Sequence, residues 1–286
     1  MPRYKYTKIA SIIGVLVNIF LMIIKSLIGF VTKSQSMIAD SFISVGDIFF
    51  SLMTYIGNKI SSKSCDKKYN FGYGKAEYIF SIIISISMIF LSLNIFKDSI
   101  IVIINKNKLT YSIWLIIICI ICIISKLILY LYTNYLYNKY NNLLMKASSK
   151  DHLSDAVITC VNLISCVLSK YGLYYFDGVV GVIISIWVFN IAIKLFRESY
   201  DILMDKSIPI NIKFKILLLI NKYSDIKKII NFRSFPVGYK YLITFTVFID
   251  GKLSIYEGNN IVNKLENEII SKINEISFII IQLNPI

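Results

Sequence analysis

Six runs of about 20 apolar residues, each nearly free of charge, limit what this chain can fold into more than any other feature. They lie near 8–31, 35–58, 77–104, 111–134, 152–170 and 176–197. In a water-soluble fold such runs need a charged shell, and only 17% of the residues are Asp, Glu, Lys or Arg, whereas one helix of that length matches a bilayer's hydrocarbon core. The chain therefore reads as an α-helical membrane protein with six transmembrane helices. Lys25 and Lys126 interrupt the first and fourth runs. Each ammonium either snorkels to the headgroups or makes a polar contact inside the bundle.

Charge gives the orientation. The 31 Lys and Arg outnumber the 17 Asp and Glu, for a net charge of +14. In so apolar a chain that excess points to cytoplasmic loops and anionic lipid headgroups, with no nucleic acid partner expected. With the N-terminus inside, the cytoplasmic side collects Arg3, Lys5, Lys8, Lys59, Lys63, Lys67, Lys68, Lys75, Lys139, Lys146, Lys150, Lys194 and Arg197. The outer side keeps Lys33, Lys106, Lys108 and Lys170. This bias places both termini in the cytoplasm, and a bacterial plasma (inner) membrane is the simplest setting. The opening MPRYKYTKIA leads into the first run without a small-residue cleavage site, so that span is expected to be retained.

After Arg197 the apolar period changes from segment to segment. A helical stretch covers about 209–222, residues 241–249 (YLITFTVFI) carry strand chemistry, and Ile261, Leu265, Ile269 and Ile273 recur at helical spacing. SFIIIQL reads as a closing strand, and a hairpin turn is expected at Pro236, Val237 and Gly238. The expected organisation is a six-helix transmembrane domain over 1–206 and a small cytoplasmic α+β domain over 207–286, ferredoxin-like in its α-β-β-α-β order.

Several chemistries are poorly supplied. The chain holds one His, and its five Cys are odd in number, which argues against a multi-histidine zinc site and a secreted disulfide scaffold. Cys119 and Cys122 spell a CxxC, but inside ICIICII they read as small buried hydrophobes. There is no paired nucleophile and base, no phosphate-cradling glycine loop and no Gly-x-Gly-Asp signature, so an enzyme is not expected.

The informative residues are acids at membrane depth, where each costs about 2.5 to 3.5 kcal/mol or more to insert. Asp40 and Asp47 lie two helical turns apart in the second run, and Asp151 and Asp155 one turn apart in the fifth. Such carboxylates repel one another unless a cation binds among them, and oxygen ligands suit hard divalent ions such as Mn²⁺, Mg²⁺ or Ca²⁺. His152 lies about 100° around the helix from Asp151 and does not clearly share its face. A plainer role for Asp151 is to sit at a helix N-terminus and favour the dipole. Asp98 and Asp177 fall near span ends, where solvation competes with transport, and Asn18, Asn94 and Asn162 read as interhelical hydrogen-bonding residues.

These residues resemble a known family. KSQSMIADSFISVGDIFFSLMTYIGNKISSKSCDKKYNFGYGKAEYIFS (33–81) is similar to the second span and following loop of the cation diffusion facilitator transporters. ASSKDHLSDAV (147–157) resembles their fifth-span motif, and KLFRESYDILMD (194–205) their lead into the C-terminal domain. The resemblance implies a homodimeric divalent metal cation exporter that exchanges the ion for protons at a site between spans two and five. No cofactor is implied, because the metal is the substrate. Carried over by position, the ligands are Asp47, Asp151 and Asp155. The fourth place falls on Ile43, where the family usually holds Asn, Asp or His, so Asp40, Ser44, a backbone carbonyl or water would have to complete the shell. The Asp-x-x-x-Asp pair resembles the manganese-handling branch, with Zn²⁺, Fe²⁺, Co²⁺ and Cd²⁺ as other candidate ions. In the loop pattern Asp-x-x-His-x-x-Gly-His-Gly, Asp66 is kept while Tyr69 and Tyr73 replace the histidines. Asp225, Asp250 and Glu257 in the tail read as solvated surface more readily than as weak cation ligands. The alternative is a transport-impaired member acting as a regulatory or scaffold partner at the membrane.

Overall fold

A computed structural model of the chain describes residues 2–32, 35–105, 113–169 and 175–286. The side chains of Asp40, Ile43, Asn162 and Asp177 lie outside the described part. Six long helices come first: α1 (Pro2–Thr32), α2 (Gln35–Ser61), α3 (Ala76–Asn105), α4 (Ile113–Tyr140), α5 (Leu143–Ser169) and α6 (Tyr175–Leu203). They run 27 to 31 residues, or about 40 to 46 Å at roughly 1.5 Å per residue, enough to span a bilayer with headgroup margins. By length and composition, Arg3–Ile28, Ala76–Ile104, Ile116–Tyr140 and Gly178–Leu203 are candidate membrane spans. Among the described residues α2 and α5 fall short of that apolarity. They are the two helices that carry the acids.

The chain divides into two compact units, Met1–Lys63 with Ala76–Tyr200, and Ser64–Lys75 with Asp201–Ile286. In the first unit, α1 packs most extensively on α2 and α4 on α5, with α2 also touching α3 and α5. Large apolar side chains such as Leu16, Phe20, Phe90, Leu131 and Ile183 are exposed, while Ser81, Ser85, Thr54, Asn18 and Asn58 are buried. Apolar residues outside and hydroxyls and amides inside are what a bundle dissolved in hydrocarbon needs, since lipid offers polar groups no partner. An apolar core remains where Phe50, Ile84, Met88, Leu144, Val188 and Leu195 meet.

At one end of the bundle a buried polar knot fastens four helices. The Arg3 guanidinium grips both oxygens of Glu77 at 3.1 and 2.8 Å and donates through Nε to the Tyr140 carbonyl. Glu77 also accepts the Leu143 backbone N–H at 2.5 Å. The beginnings of α1, α3 and α5 and the end of α4 are thereby joined. Next to it Asn142 caps α5, its Oδ1 accepting from the Met145 N–H at 2.9 Å, after Asn141 turns the chain at φ 49°. The cap starts α5 at Leu143, nine residues before the apolar run that marked it in the sequence. Asp151 consequently lies two turns inside the helix, and the N-terminal dipole role for it falls away.

The second unit has the order α7 (Ile210–Ile220), β1 (Lys228–Val237), β2 (Lys240–Ile249), α8 (Ile255–Lys272), β3 (Ile276–Pro285). The sheet runs β1-β2-β3, antiparallel between β1 and β2 and parallel between β2 and β3. This is the α-β-β-α-β order the periodicity predicts. Val237 pairs with Lys240, so Gly238 and Tyr239 form the turn, slightly later than expected, with Gly238 at φ 62° where a side chain would be strained. The core joins Ile216 and Ile220 of α7, Ile243, Phe245 and Val247 of β2, and Leu265 and Ile269 of α8. In α8 the buried residues are Gly258, Val262, Leu265 and Ile269, so Val262 takes the place expected of Ile261.

Helix α8 starts with a capping box. Ser254 Oγ accepts the Glu257 N–H, and Glu257 Oε2 accepts the Ser254 N–H at 2.8 Å. The donation from the Ser254 backbone, with that from its hydroxyl, holds the Glu257 carboxyl below its ordinary 4.5. A carboxyl depressed in the folded state stabilises fully above its unfolded pKa and loses that contribution as pH falls through the folded value. Hydrogen-exchange protection in the first turn of α8 is therefore expected to be constant near neutrality and to drop below about pH 4.5, and Glu257→Gln should remove the pH dependence.

Candidate metal transport site

Asp47 projects from the middle of α2, and Asp155 from α5. A lysine from a third helix joins them. Lys126 Nζ of α4 lies 2.8 Å from Asp47 Oδ2 and 2.5 Å from Asp155 Oδ2. The lysine side chain is 4% exposed, while those of Asp47 and Asp155 keep 14% and 12%. All three line a cavity of about 320 Å³ whose wall also includes Lys25, Asn94 and Thr159. The acids and the lysine thus share the wall of one cavity.

Neighbouring hydrogen bonds fix the backbone that carries the acids. Asn18 of α1 donates to the Asp47 carbonyl at 3.0 Å and to Ser51 Oγ at 2.8 Å, the interhelical role expected of it. Thr159 donates to the Asp155 carbonyl at 2.7 Å. On α1, Lys25 Nζ donates to Ser44 Oγ at 3.0 Å, so this candidate hydroxyl already has a lysine on it.

Asp151 sits deeper, outside the cavity lining and 1% exposed. Its donor atoms, with those of His152 and Asp155, all lie within 4.8 Å of one another. Asp151 Oδ1 and His152 Nδ1 are buried without a hydrogen-bond partner among the described residues. Asp151 Oδ2 and His152 Nδ1 are 3.9 Å apart, beyond a hydrogen bond, while His152 Nε2 lies 3.3 Å from Ser148 Oγ. His152, set aside in the sequence for its azimuth, turns inward here. Two carboxylates suit a hard ion such as Mn²⁺, and an imidazole nitrogen beside them extends the set to Zn²⁺ or Fe²⁺.

The remaining candidates have other surroundings. Asp40 belongs to α2, but its side chain is outside the described residues, as is that of Ile43. Asp66 organises its own loop: Oδ1 accepts the Lys68 and Tyr69 N–H groups at 2.9 and 2.7 Å, and Oδ2 accepts from the Tyr73 hydroxyl at 2.7 Å. The tyrosines that replace the histidines pack on each other, ring centroids 4.6 Å apart. In the tail, Glu257 serves the capping box and Asp250 Oδ1 accepts the Lys252 N–H. Cys119 and Cys122 are buried within α4, as the apolar run around them predicts.

Comparison with known proteins agrees with this architecture. Residues 11–204 match the cation efflux transmembrane domain, and residues 213–286 match the cation efflux protein cytoplasmic domain. The chain is 27% identical to the manganese efflux system protein MneP of Bacillus subtilis, over 99% of this chain and 97% of the relative. It is 30% identical to an uncharacterized transporter of Methanocaldococcus jannaschii over 70% of each chain. The magnetosome protein MamB of a Magnetospira strain is 23% identical, over 94% of this chain and 92% of the relative. The first of these matches alone covers more than half of the sequence, and the chain belongs to the cation efflux family, the cation diffusion facilitators.

Proposed function

We propose that the protein exports a divalent metal cation from the cytosol in exchange for protons, with Mn²⁺ as the preferred ion and Zn²⁺, Fe²⁺, Co²⁺ and Cd²⁺ as competitors. The observation that carries this reading is the meeting of Asp47 and Asp155, acids from two different helices, around one cation at the wall of a cavity. A group of opposite charge already sits where the two carboxylates converge. Asp151 and His152 supply further donors one turn earlier on α5. The full-length likeness to a relative named for manganese efflux, together with the carboxylate-rich donor set, supports Mn²⁺.

In the proposed cycle the ion enters from the cytosolic side and binds the ionised acids. The bundle then reopens outward, and protons from outside compete the ion off. Only ionised oxygens are good ligands, so metal and protons are linked and a proton gradient can drive export. We assign transport to residues 1–206 and homodimer formation to the tail, 207–286, in a bacterial plasma membrane with both termini in the cytosol. The test is a flux panel of the five ions in inverted vesicles, with and without an acidic lumen. Mn²⁺ uptake accelerated by the acidic lumen is expected. Uptake indifferent to the gradient would remove proton exchange from the account.

A second reading, a transport-impaired member that serves as a regulatory or scaffold partner, draws on the same lysine: Lys126 occupies both acids, and position 43 holds Ile where the resemblance calls for a ligand. Absence of flux for all five ions would favour it.

A further inference from the structure

We propose that Lys126 is a tethered cation that holds the carboxylates of Asp47 and Asp155 when no metal is bound, and that an incoming divalent ion must displace it. The proposal rests on the transport-site reading above and adds the group that competes for the site.

The geometry leaves a metal no room to share the Oδ2 atoms of the two acids. Divalent ions take carboxylate oxygens at about 2.0 to 2.6 Å, and the ammonium stands 2.8 and 2.5 Å from Oδ2 of both acids. A metal on those oxygens and an ammonium in its present place would be like charges within a few ångströms, well inside the distance over which salt screens. One has to leave. Lysine can, because its charge rides on a flexible four-carbon stem. The adjoining cavity offers polar landing places at Ser87, Asn94 and Thr159. A second ammonium, Lys25, lines the same cavity and adds to the positive field the metal meets.

A second buried ion pair among the described residues shows what a purely structural pair looks like. Arg3 and Glu77 are sealed, at 8% and 1% exposed, and Glu77 is further bound by the Leu143 backbone N–H. Asp47 and Asp155 instead remain partly open on the cavity, and among the described residues no backbone donor locks the carboxylate oxygens that hold Lys126. The lysine stands on an otherwise apolar stretch of α4, where burying an unpaired charge is costly. It is retained at the point where two acids need a cation whenever the metal is absent. Lys126 then sets the affinity of the site, so the protein binds its ion more weakly than three acids and an imidazole would on their own.

The test is equilibrium binding of Mn²⁺ alone to the purified full-length chain, unmodified and with Lys126→Gln, Lys126→Arg, Asp47→Asn and Asp155→Asn. Removing a charge that competes at contact distance is expected to lower the Mn²⁺ Kd of Lys126→Gln by about tenfold or more. Lys126→Arg, which keeps the charge, is expected to bind no more tightly than the unmodified chain. A Kd for Lys126→Gln equal to or weaker than that of the unmodified chain overturns the proposal, as does tightening by Lys126→Arg. If Lys126→Gln does not fold alone, purification in excess Mn²⁺ is expected to rescue it, because the metal takes the lysine's place; failure of that rescue also overturns the proposal. The asparagine variants separate the two levels. Unchanged binding in both would remove the transport-site reading itself, whereas lost binding there with an unmoved Kd in Lys126→Gln would remove only the role given to the lysine.

Discussion

Asp155→Ala is expected to reduce Mn²⁺ uptake into inverted vesicles at least about a hundredfold, to the level of protein-free vesicles, since loss of a group supporting a metal site commonly costs 10- to 100-fold and a direct ligand costs more. Asp47→Ala should behave alike. Both acids face the cavity and meet at one point, so neither can stand in for the other from its own helix. Either substitution also leaves Lys126 with one carboxylate instead of two, biasing the residual pair toward a closed, ammonium-held state. Asp98→Asn is the matched control, because Asp98 is exposed on α3 away from the cavity lining. Uptake by Asp98→Asn should equal that of the unmodified protein. If Asp155→Ala and Asp47→Ala transported at unmodified rates, the ion would have to cross by another route.

The second large effect concerns stability. Glu77→Ala is expected to destabilise the bundle by about 3 to 5 kcal/mol, the usual cost of removing one partner from a buried ion pair. The cost arises because the Arg3 charge stays buried and the Leu143 N–H loses its acceptor. The starts of α1, α3 and α5 share this carboxylate, and the Arg3 it holds ties in the end of α4 through the Tyr140 carbonyl, so a local loss loosens four elements at once. Heating followed by detergent size-exclusion should show the transition displaced to much lower temperature. The paired change Arg3→Met with Glu77→Leu should recover much of the loss, since replacing both partners removes the unmet charge together with the attraction. A double variant as unstable as Glu77→Ala would mean that geometry, and not charge, holds the knot.

How far the sequence reveals this depends on which forces act locally. The tail could be read in order because β2, with its β-branched and aromatic run, and α8, with its fourfold spacing, each carry a period that belongs to one backbone geometry. The start of α5 could not: LLMKASSK lacks the apolarity of a span, and its helix is nucleated by the Asn142 cap and the buried Leu144, Met145 and Ala147. Arg3 illustrates a sharper limit. Counting basic residues near span ends assigns it to a wetted loop, yet it is buried against a carboxylate 74 positions away. Lys126 falls between these cases. Its interruption of the fourth run announces a polar contact, but the partners follow only once the relative rotations of α2, α4 and α5 are known. The acids proposed for the site stand out in the sequence by cost alone, whereas the buried position of His152 is hidden by a wheel geometry that treats a helix as having one inner face.

The most direct measurement of the central claim is anomalous diffraction at the manganese absorption edge from crystals of the full-length protein grown with Mn²⁺. A peak within coordination distance of both Asp47 and Asp155, with the Lys126 ammonium withdrawn from their oxygens, is the predicted result. A peak elsewhere in the bundle, with Lys126 still seated on both carboxylates, would contradict it.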